Sequence, residues 1–425
     1  MFGVIVADTH RRLGGPRVFL LALIAPLLLA ACGLAPTPAD IQREPVRAAT
    51  PDGDRVFVLT SQWKTYRVGS SRSGSGTYYT NLFIDVWAFD AANAKPVWRQ
   101  RITNQRSGVN MGRGLLGVSG GKLWVLQPTG LLGLSTTDGA IVADVSRIEA
   151  ANPALKSLLP TEETYYKFDA GGLSFTAADG RAWRLNGADL KATPMAPPPE
   201  QPPEGVFLPA RWAGGVGTWM FMERALNTRG GWFGLLDDAE AKRFAEQGAI
   251  GGIDPQGHPR TRMWQARVGM KETFFGPRPT YSHFKPLPEG PEFLHAGLLT
   301  NGVTNSLPIM LFNPDSMLVL HRDRLGDEGR LQLTRITGPN GKPAWTVTLP
   351  MTRLEAVMPG KTGVVLQGYR QEEDPNRRRN SSNLPIDVDQ IVAIDYASGK
   401  MGAYGFLVPA TKPQDIPSSS TRLDE

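Results

Sequence analysis

The sequence predicts an all-β fold. Glycine and proline together supply 47 + 35 = 82 of the 425 residues, and this excess favours many tight turns. Short apolar runs separated by Gly, Pro, Asn and Asp recur along the chain, which is typical of strands joined by turns. A charged fraction of 20% and a hydrophobic fraction of 41% fit a globular body rather than a disordered chain.

The clearest strand–turn–strand pattern is VWAFDAANAKPVW at 86–98. An alternating run leads to Asp90, a turn of small residues follows, and Trp98 opens a second run. We expect Asp90 and Lys95 to shape the turn, and Trp98 to pack between neighbouring sheets.

Five further stretches repeat this pattern, which makes six copies in all. Four of them can be aligned with 86–98 without gaps: 131–143, 182–194, 333–345 and 391–403. The fifth is split, with one strand at 231–237 and the other at 260–268. Between them, the segment 237–248 begins with Asp, ends with Gly and predicts a short inserted helix.

Short runs upstream of several copies complete four-stranded units. Residues 115–146, for example, are broken by turn signals into four short strands. Units about 45 to 60 residues apart favour a single β-propeller of six to eight blades over 53–410, because a small sheet buries both faces only between two neighbours. A pair of unrelated β-sandwiches is the alternative. The Pro-rich stretch 276–292 is interpreted as a long loop.

The N-terminus predicts an export signal over residues 1–31. Basic residues precede an apolar run at 18–30, which is too short to span a bilayer but suits the core of a signal peptide. The run ends in a sequence that resembles the lipobox of bacterial lipoproteins: Leu29, Ala30, Ala31 and Cys32. The resemblance implies cleavage before Cys32 and acylation of its thiol and of the new amino group. An ordinary secretory signal with a chance cysteine is the alternative.

The residue after the cysteine implies a location. Gly33 is not the Asp that retains such lipoproteins in the inner membrane, so the resemblance implies attachment to the periplasmic face of the outer membrane. Residues 32–52 are rich in Pro and Ala and predict a lipidated tether. Residues 411–425 are polar and predict a flexible tail.

The repeated pattern also carries a family resemblance. Apolar-x-Ala-apolar-Asp, a turn with Gly-Lys, and a Trp three residues later resemble the PQQ-like propeller repeat of quinoproteins and of outer-membrane assembly lipoproteins. The resemblance covers most of residues 54–406. Individual copies depart from it: Thr337 replaces the Asp in 333–345, and Ala403 replaces the Trp in 391–403.

Quinoprotein dehydrogenases need adjacent cysteines and a calcium-binding set of carboxylate and amide groups at their cofactor. Cys32 is the only cysteine of this chain, so we expect no quinone cofactor and assign no calcium ligands. His258, His283, His295 and His321 show no metal-ligand spacing and are interpreted as loop or sheet-face residues. We assign no catalytic residue and no metal ligand.

Charge argues against a nucleic-acid partner. Removal of residues 1–31 takes away three Arg and one Asp, which leaves a net charge of 6 − 2 = +4. We expect a non-catalytic scaffold or protein-binding module with a periplasmic protein partner. The alternative is a periplasmic hydrolase or lyase with its site at one mouth of the ring. Trp63 is a candidate exposed aromatic residue, and the Arg run at 377–379 is interpreted as a solvated loop tip.

Overall fold

The computed structural model describes residues 37–68, 77–106, 113–169, 171–195, 225–228, 231–248, 259–274, 276, 278–299, 312–313, 316–326, 329–373 and 385–406. In these ranges the chain forms mostly β-strands, arranged in several antiparallel sheets. The two α-helices of the same ranges are Val145–Ala151 (α1) and Asp238–Gln247 (α2). The all-β class is therefore confirmed.

The first sheet contains five strands: Asp40–Ile41 (β1), Val46–Thr50 (β2), Gly53–Val68 (β3), Thr77–Asp90 (β4) and Pro96–Arg106 (β5). Both β1 and β2 pair with β3. Two strands of the first sheet, β1 and β2, thus lie within the segment 32–52 that was predicted as a tether. Their pairing with β3 depends on tertiary contact, which local composition does not reveal.

The second sheet follows the four strands predicted for 115–146: Gly114–Ser119 (β6), Lys122–Gln127 (β7), Gly130–Ser135 (β8) and Ile141–Ala143 (β9). The third is Tyr166–Asp169 (β10), Gly172–Thr176 (β11), Ala182–Leu185 (β12) and Ala192–Pro194 (β13). Helix α1 and two short 3-10 helices, Pro153–Leu155 and Glu163–Tyr165, connect these sheets. The Asp144 side chain caps α1 by accepting the Arg147 N–H at 2.8 Å.

The next sheet has nine strands: Ala225–Thr228 (β14), Gly231–Leu236 (β15), Arg260–Lys271 (β16), Arg278–Pro286 (β17), Glu292–Leu298 (β18), Phe312–Asn313 (β19), Ser316–Arg322 (β20), Leu331–Thr337 (β21) and Lys342–Thr348 (β22). It consists of two four-stranded units, β14 to β17 and β18-β20-β21-β22, together with β19. Pairing of Arg260 to Arg262 with Leu294 to Glu292 joins the two units.

The inserted helix predicted for 237–248 is confirmed as α2, between β15 and β16. Asp237 caps its first turn by accepting the Glu240 N–H at 2.7 Å, and the Glu240 carboxylate in return accepts the Asp237 N–H at 3.2 Å. Gly248 ends the helix in the left-handed conformation, at φ 59°. Asp and Gly at the two ends were therefore informative signals.

The interpretation of 276–292 as a loop is wrong, since this stretch supplies β17 and the start of β18. Strand β17 pairs only with β16 among the described strands, so it lies at an edge. Pro279 and Pro286, opposite Met270 and Trp264, are tolerated because an edge strand has one side free of sheet hydrogen bonds. The split copy thus corresponds to the second and third strands of its unit.

The last sheet is a four-stranded meander: Arg353–Pro359 (β23), Gly363–Glu372 (β24), Ile386–Asp395 (β25) and Met401–Gly405 (β26). The described chain thus contains six four-stranded units, if the first sheet is counted from β2 to β5 and the nine-stranded sheet is counted as two.

Four of the predicted repeats contain the same six-residue turn. The first residue donates its N–H to the carbonyl of the sixth at 2.8–3.0 Å, and the fifth donates to the carbonyl of the first at 2.9–3.0 Å. These turns begin at Asp90, Ser135, Asn186 and Asp395. The fifth residue has a positive φ in each: Ala94, Gly139, Leu190 and Gly399. This common geometry confirms the ungapped alignment of these copies and the turn role of Asp90.

Buried apolar residues lie between successive units. Five clusters each join two of them: the first and second sheets, the second and third, the two units of the nine-stranded sheet, its second unit and the last sheet, and the last and first sheets. In the cluster between the first two sheets, Trp98 is 1% exposed, and its indole N–H donates to the Thr136 carbonyl at 3.0 Å. Trp345 makes the equivalent bond to the Tyr396 carbonyl at 2.9 Å. Both tryptophans thus pack between units, as predicted for Trp98.

The contact between the first and last sheets brings together residues more than 300 positions apart. The rings of Trp87 and Phe406 meet edge to face, with centroids 5.6 Å apart. The Arg47 guanidinium donates to the carbonyls of Met358 and Gly363 at 2.7 and 3.1 Å. The two ends of the described chain therefore share one core.

Candidate functional site

Several residues singled out in the sequence lie outside the described ranges. They are the lipobox residues Leu29, Ala30, Ala31 and Cys32, the histidine His258 and the Arg run at 377–379. Within the described ranges, no helix is long and apolar enough to cross a membrane.

The remaining histidines have separate environments. His321 is buried against Phe293, with ring centroids 4.9 Å apart, and its Nε2 lies 2.7 Å from the Thr334 hydroxyl. Burial lowers the pKa of the His321 imidazole. His283 is exposed, and its Nδ1 lies 3.0 Å from the Ser282 hydroxyl. The described residues contain no group of three or more His, Cys, Asp or Glu side chains placed to hold a metal ion.

Trp63, the candidate exposed aromatic residue, is half-buried and packs against the cluster between the first and second sheets. It belongs to β3, where it points to the same sheet face as Phe57 and Leu59 because alternate strand residues share a face. Its role is therefore packing. The opposite face of the same strands carries different chemistry.

The strands β3, β4 and β5 have 16, 14 and 11 residues, whereas those of the second and third sheets have three to six. Pairing within the longer strands continues to Val68 opposite Thr77, and to Asn81 opposite Arg106. We name the distal part of these strands, residues 60–68, 77–85 and 99–106, the first-sheet extension. It contains five basic residues and one acidic residue: Lys64, Arg67, Arg99, Arg101, Arg106 and Asp85.

Asp85 organises the basic side chains at the base of the extension. Its side chain is 3% exposed and pairs with both Arg99 and Arg101, the latter through Arg101 Nε at 2.8 Å. Each guanidinium also lies over an aromatic ring, with Arg101 4.2 Å from the centroid of Phe83 and Arg99 4.7 Å from that of Trp87. One buried carboxylate thus holds two arginines against rings and leaves a net positive charge.

Farther along the extension, cations and tyrosines form a row on the same face. Tyr66 and Tyr79 are opposite residues of β3 and β4, and their rings stack with centroids 5.1 Å apart. Lys64 Nζ lies 5.0 Å from the Tyr66 centroid, and the Arg106 guanidinium lies 4.5 Å from that of Tyr79. The row presents two cations beside two half-buried phenol rings. Such a row can bind a surface that carries negative charge and has apolar regions against which the tyrosine rings can pack.

The start of the described chain lies against this extension. Thr37 donates its N–H to the Trp63 carbonyl at 3.0 Å, and the Gln62 amide donates to the Thr37 carbonyl at 2.7 Å. Sequence reasoning missed the extension as a surface. The available signal was the alternation of Lys64 with Tyr66 and of Arg99 with Arg101, which puts each pair on one face of a strand.

A second polar feature lies where the first strand meets the last sheet. The Asp389 side chain accepts the Ile41 N–H at 2.5 Å. Burial, together with the charges of Asp40, Glu355 and Asp387, raises the pKa of this carboxyl to about 7, against the opposing effect of the Ile41 hydrogen bond. Asp389 therefore acts as a polar contact between the two ends of the fold.

No family model matches this chain, and no curated protein matches it.

Proposed function

We propose that this chain is a lipid-anchored β-propeller, resembling the PQQ-like repeat family, that acts as a non-catalytic scaffold or protein-binding module at the periplasmic face of the outer membrane. The observation that carries the propeller is the shared core of the first and last sheets. In a linear stack of sheets the two ends would be far apart, whereas in a ring they meet.

The number of units supports the same architecture. Six four-stranded units follow one another along the described chain, and five apolar clusters join neighbours, including the last with the first. A ring of six such sheets has one interface per sheet and leaves no unit with an uncovered face. Its connecting segments supply the places where partner proteins bind.

The anchor is supported by the order of basic lead, apolar core and Leu29-Ala30-Ala31-Cys32. Several acyl chains at one residue hold a protein stably on a bilayer without a spanning helix. The location at the outer membrane is supported by Gly33, which stands where a retained lipoprotein has Asp.

The first prediction concerns this anchor. Cys32→Ser removes the thiol that would be acylated, so we expect the unprocessed precursor to accumulate and the acylated N-terminal peptide to disappear from the mass spectrum. Gly33→Asp is the matched variant for location: it should remain acylated but move to the inner-membrane fraction. A Cys32→Ser chain that is still processed and still sediments with outer membrane would contradict the anchor.

The scaffold role is tested by chemical cross-linking in intact cells, followed by purification of the acylated chain and identification of the proteins joined to it. We expect one or a few periplasmic or outer-membrane proteins in constant proportion. Recovery of the chain alone, under conditions that cross-link known periplasmic complexes, would argue against a scaffold and leave the anchor unaffected.

A further inference from the structure

We propose that the first-sheet extension docks on the phospholipid surface to which the chain is anchored, and so fixes the orientation of the domain on the membrane. The inference rests on the proposed acylation of Cys32. It adds a second, protein-borne contact formed by Lys64, Tyr66, Tyr79 and Arg106.

The position of the anchor is the first step. Thr37 lies five positions after Cys32, and a fully extended chain over that interval spans at most about 18 Å. Thr37 is hydrogen-bonded to Trp63 in β3. Val68, the end of β3, likewise lies five positions after Trp63, which corresponds to roughly 17 Å of strand. An acylated Cys32 therefore holds the bilayer within reach of the distal end of the extension.

The chemistry of the extension is the second step. Five basic residues against one acidic residue give it a net charge of 5 − 1 = +4, and the acidic one, Asp85, is already paired with Arg99 and Arg101. Basic residues close to anionic headgroups strengthen membrane attachment. Tyrosine rings favour the headgroup region, because one edge is polar and the body is apolar. The extension combines both kinds of side chain on one face.

Together, the anchor and the extension would fix the orientation of the domain, which a single anchor does not. A lipid chain restricts the distance of a domain from the bilayer but not its rotation. A basic, aromatic surface beside the attachment point restricts rotation as well, because the Tyr66–Tyr79 pair and its flanking cations meet lipid in one orientation only. The rest of the domain is then held away from the membrane, where it can meet protein partners.

The test uses the full acylated chain in vesicles of phosphatidylethanolamine and phosphatidylglycerol. Cys32 is the only cysteine of the chain, and acylation blocks its thiol, so Asn104→Cys supplies one reactive site at an exposed position of β5, on the same sheet face as Arg106. A fluorophore on this residue should be quenched by spin-labelled lipid headgroups. The matched reporter is Ala92→Cys, an exposed residue in the turn at the opposite end of β4, which should not be quenched.

Charge variants test the cause of the contact. Lys64→Gln with Arg106→Gln removes two cations, and we expect the ratio of docked to undocked chains to fall roughly 30-fold. The control pair, Lys95→Gln with Lys400→Gln, makes the same charge change at exposed turn residues elsewhere and should leave quenching unchanged. Each variant is checked by mass spectrometry for acylation, so loss of docking is distinguished from loss of the anchor.

Three results would overturn the proposal. The first is equal quenching of the Asn104 and Ala92 reporters in an acylated, vesicle-bound chain, and the second is undiminished quenching after the Lys64 and Arg106 substitutions. The third is protection of the Asn104 reporter only in membranes that contain native proteins. The last would assign the extension to a protein partner. Absence of acyl chains from the purified protein would instead refute the proposed function.

Discussion

At the scale of single residues, Asp389 links protonation to the joining of the two ends of the fold. Its side chain accepts the Ile41 N–H, and its carbonyl accepts the Phe406 N–H at 2.9 Å. Since burial raises the pKa of the folded carboxyl to about 7, the folded chain keeps a proton between pH 4 and 7 that the unfolded chain releases. The contribution of this group to stability is therefore present at low pH and is lost as the pH rises toward 7.

We predict that Asp389→Asn weakens this pH dependence. Wild-type protein should lose about 2 to 3 kcal/mol of unfolding free energy through this group between pH 5 and pH 8, and the Asn variant, which does not titrate, should lose that much less. Denaturant unfolding at the two pH values measures the difference. Asp52→Asn, an exposed carboxyl in the turn between β2 and β3, is the control and should behave as wild type. Equal pH dependence in wild type and Asp389→Asn would refute the assignment.

At the scale of elements, the six-residue turn joins the third and fourth strands of a unit. In two of the units it also contacts a tryptophan of the neighbouring unit. A Cβ placed on Gly139 would lie 2.6 Å from the Trp98 ring, and one placed on Gly399 would lie 2.8 Å from the Trp345 ring. In these two turns the fifth position is thus restricted by its positive φ and by the indole packed on it. Glycine meets both restrictions.

We predict that Gly139→Ala destabilises the fold more than Gly121→Ala does. Both glycines belong to turns of the second sheet and have similar φ values, 76° and 73°, so both substitutions carry the strain of about 1 kcal/mol for a left-handed alanine. Nothing lies within 4 Å of a Cβ on Gly121. The overlap with Trp98 should add about 1 to 3 kcal/mol for Gly139→Ala. Equal unfolding free energies for the two variants would show that the Trp98 ring can move away from the new methyl group without destabilising the fold, and would contradict the prediction.

Sequence reasoning located these turns because their determinants are local: Asp, Asn or Ser at the first position and a residue that tolerates positive φ at the fifth. It failed at β17, since Pro279 and Pro286 discourage a strand unless the strand is known to lie at an edge. It also did not identify β1 and β2 as strands, because only the structure shows that they pair with β3. Edge position and register depend on tertiary structure, which single-sequence patterns do not contain.

At the scale of the whole molecule, the predicted repeat explains the sequence of sheets and the clusters between them. The candidate surface was not predictable in the same way. Lys64, Tyr66, Tyr79 and Arg106 come from three strands, and only the register of β3, β4 and β5 places them in one row. A repeat pattern reports what successive units share, whereas the extension belongs to one unit alone.

We predict that Phe406→Ala disturbs the two sequence-distant sheets together. Phe406 is 4% exposed and packs in the core shared by the first and last sheets, so its truncation should cost about 3 to 5 kcal/mol and accelerate amide hydrogen exchange in both β4 and β25. Phe175→Ala, at 3% exposure in the cluster between the second and third sheets, is the matched control and should accelerate exchange there instead. Faster exchange in β25 alone after Phe406→Ala would contradict coupling of the two sheets.

The Ala39 N–H donates to the Phe406 carbonyl at 3.3 Å, so the two ends of the described chain are close enough to be joined. The chain could then begin at a different unit. A short linker from residue 406 to residue 37 would join two points that already touch, and a new break could be opened in the exposed turn after Asn186 without separating any paired strands. Such a circular permutant would keep every sheet and every shared core of the described chain. It would also move the proposed lipid attachment point from residue 37 to the new N-terminus in the turn after Asn186, so the part of the fold nearest a bilayer could be chosen by the position of the break.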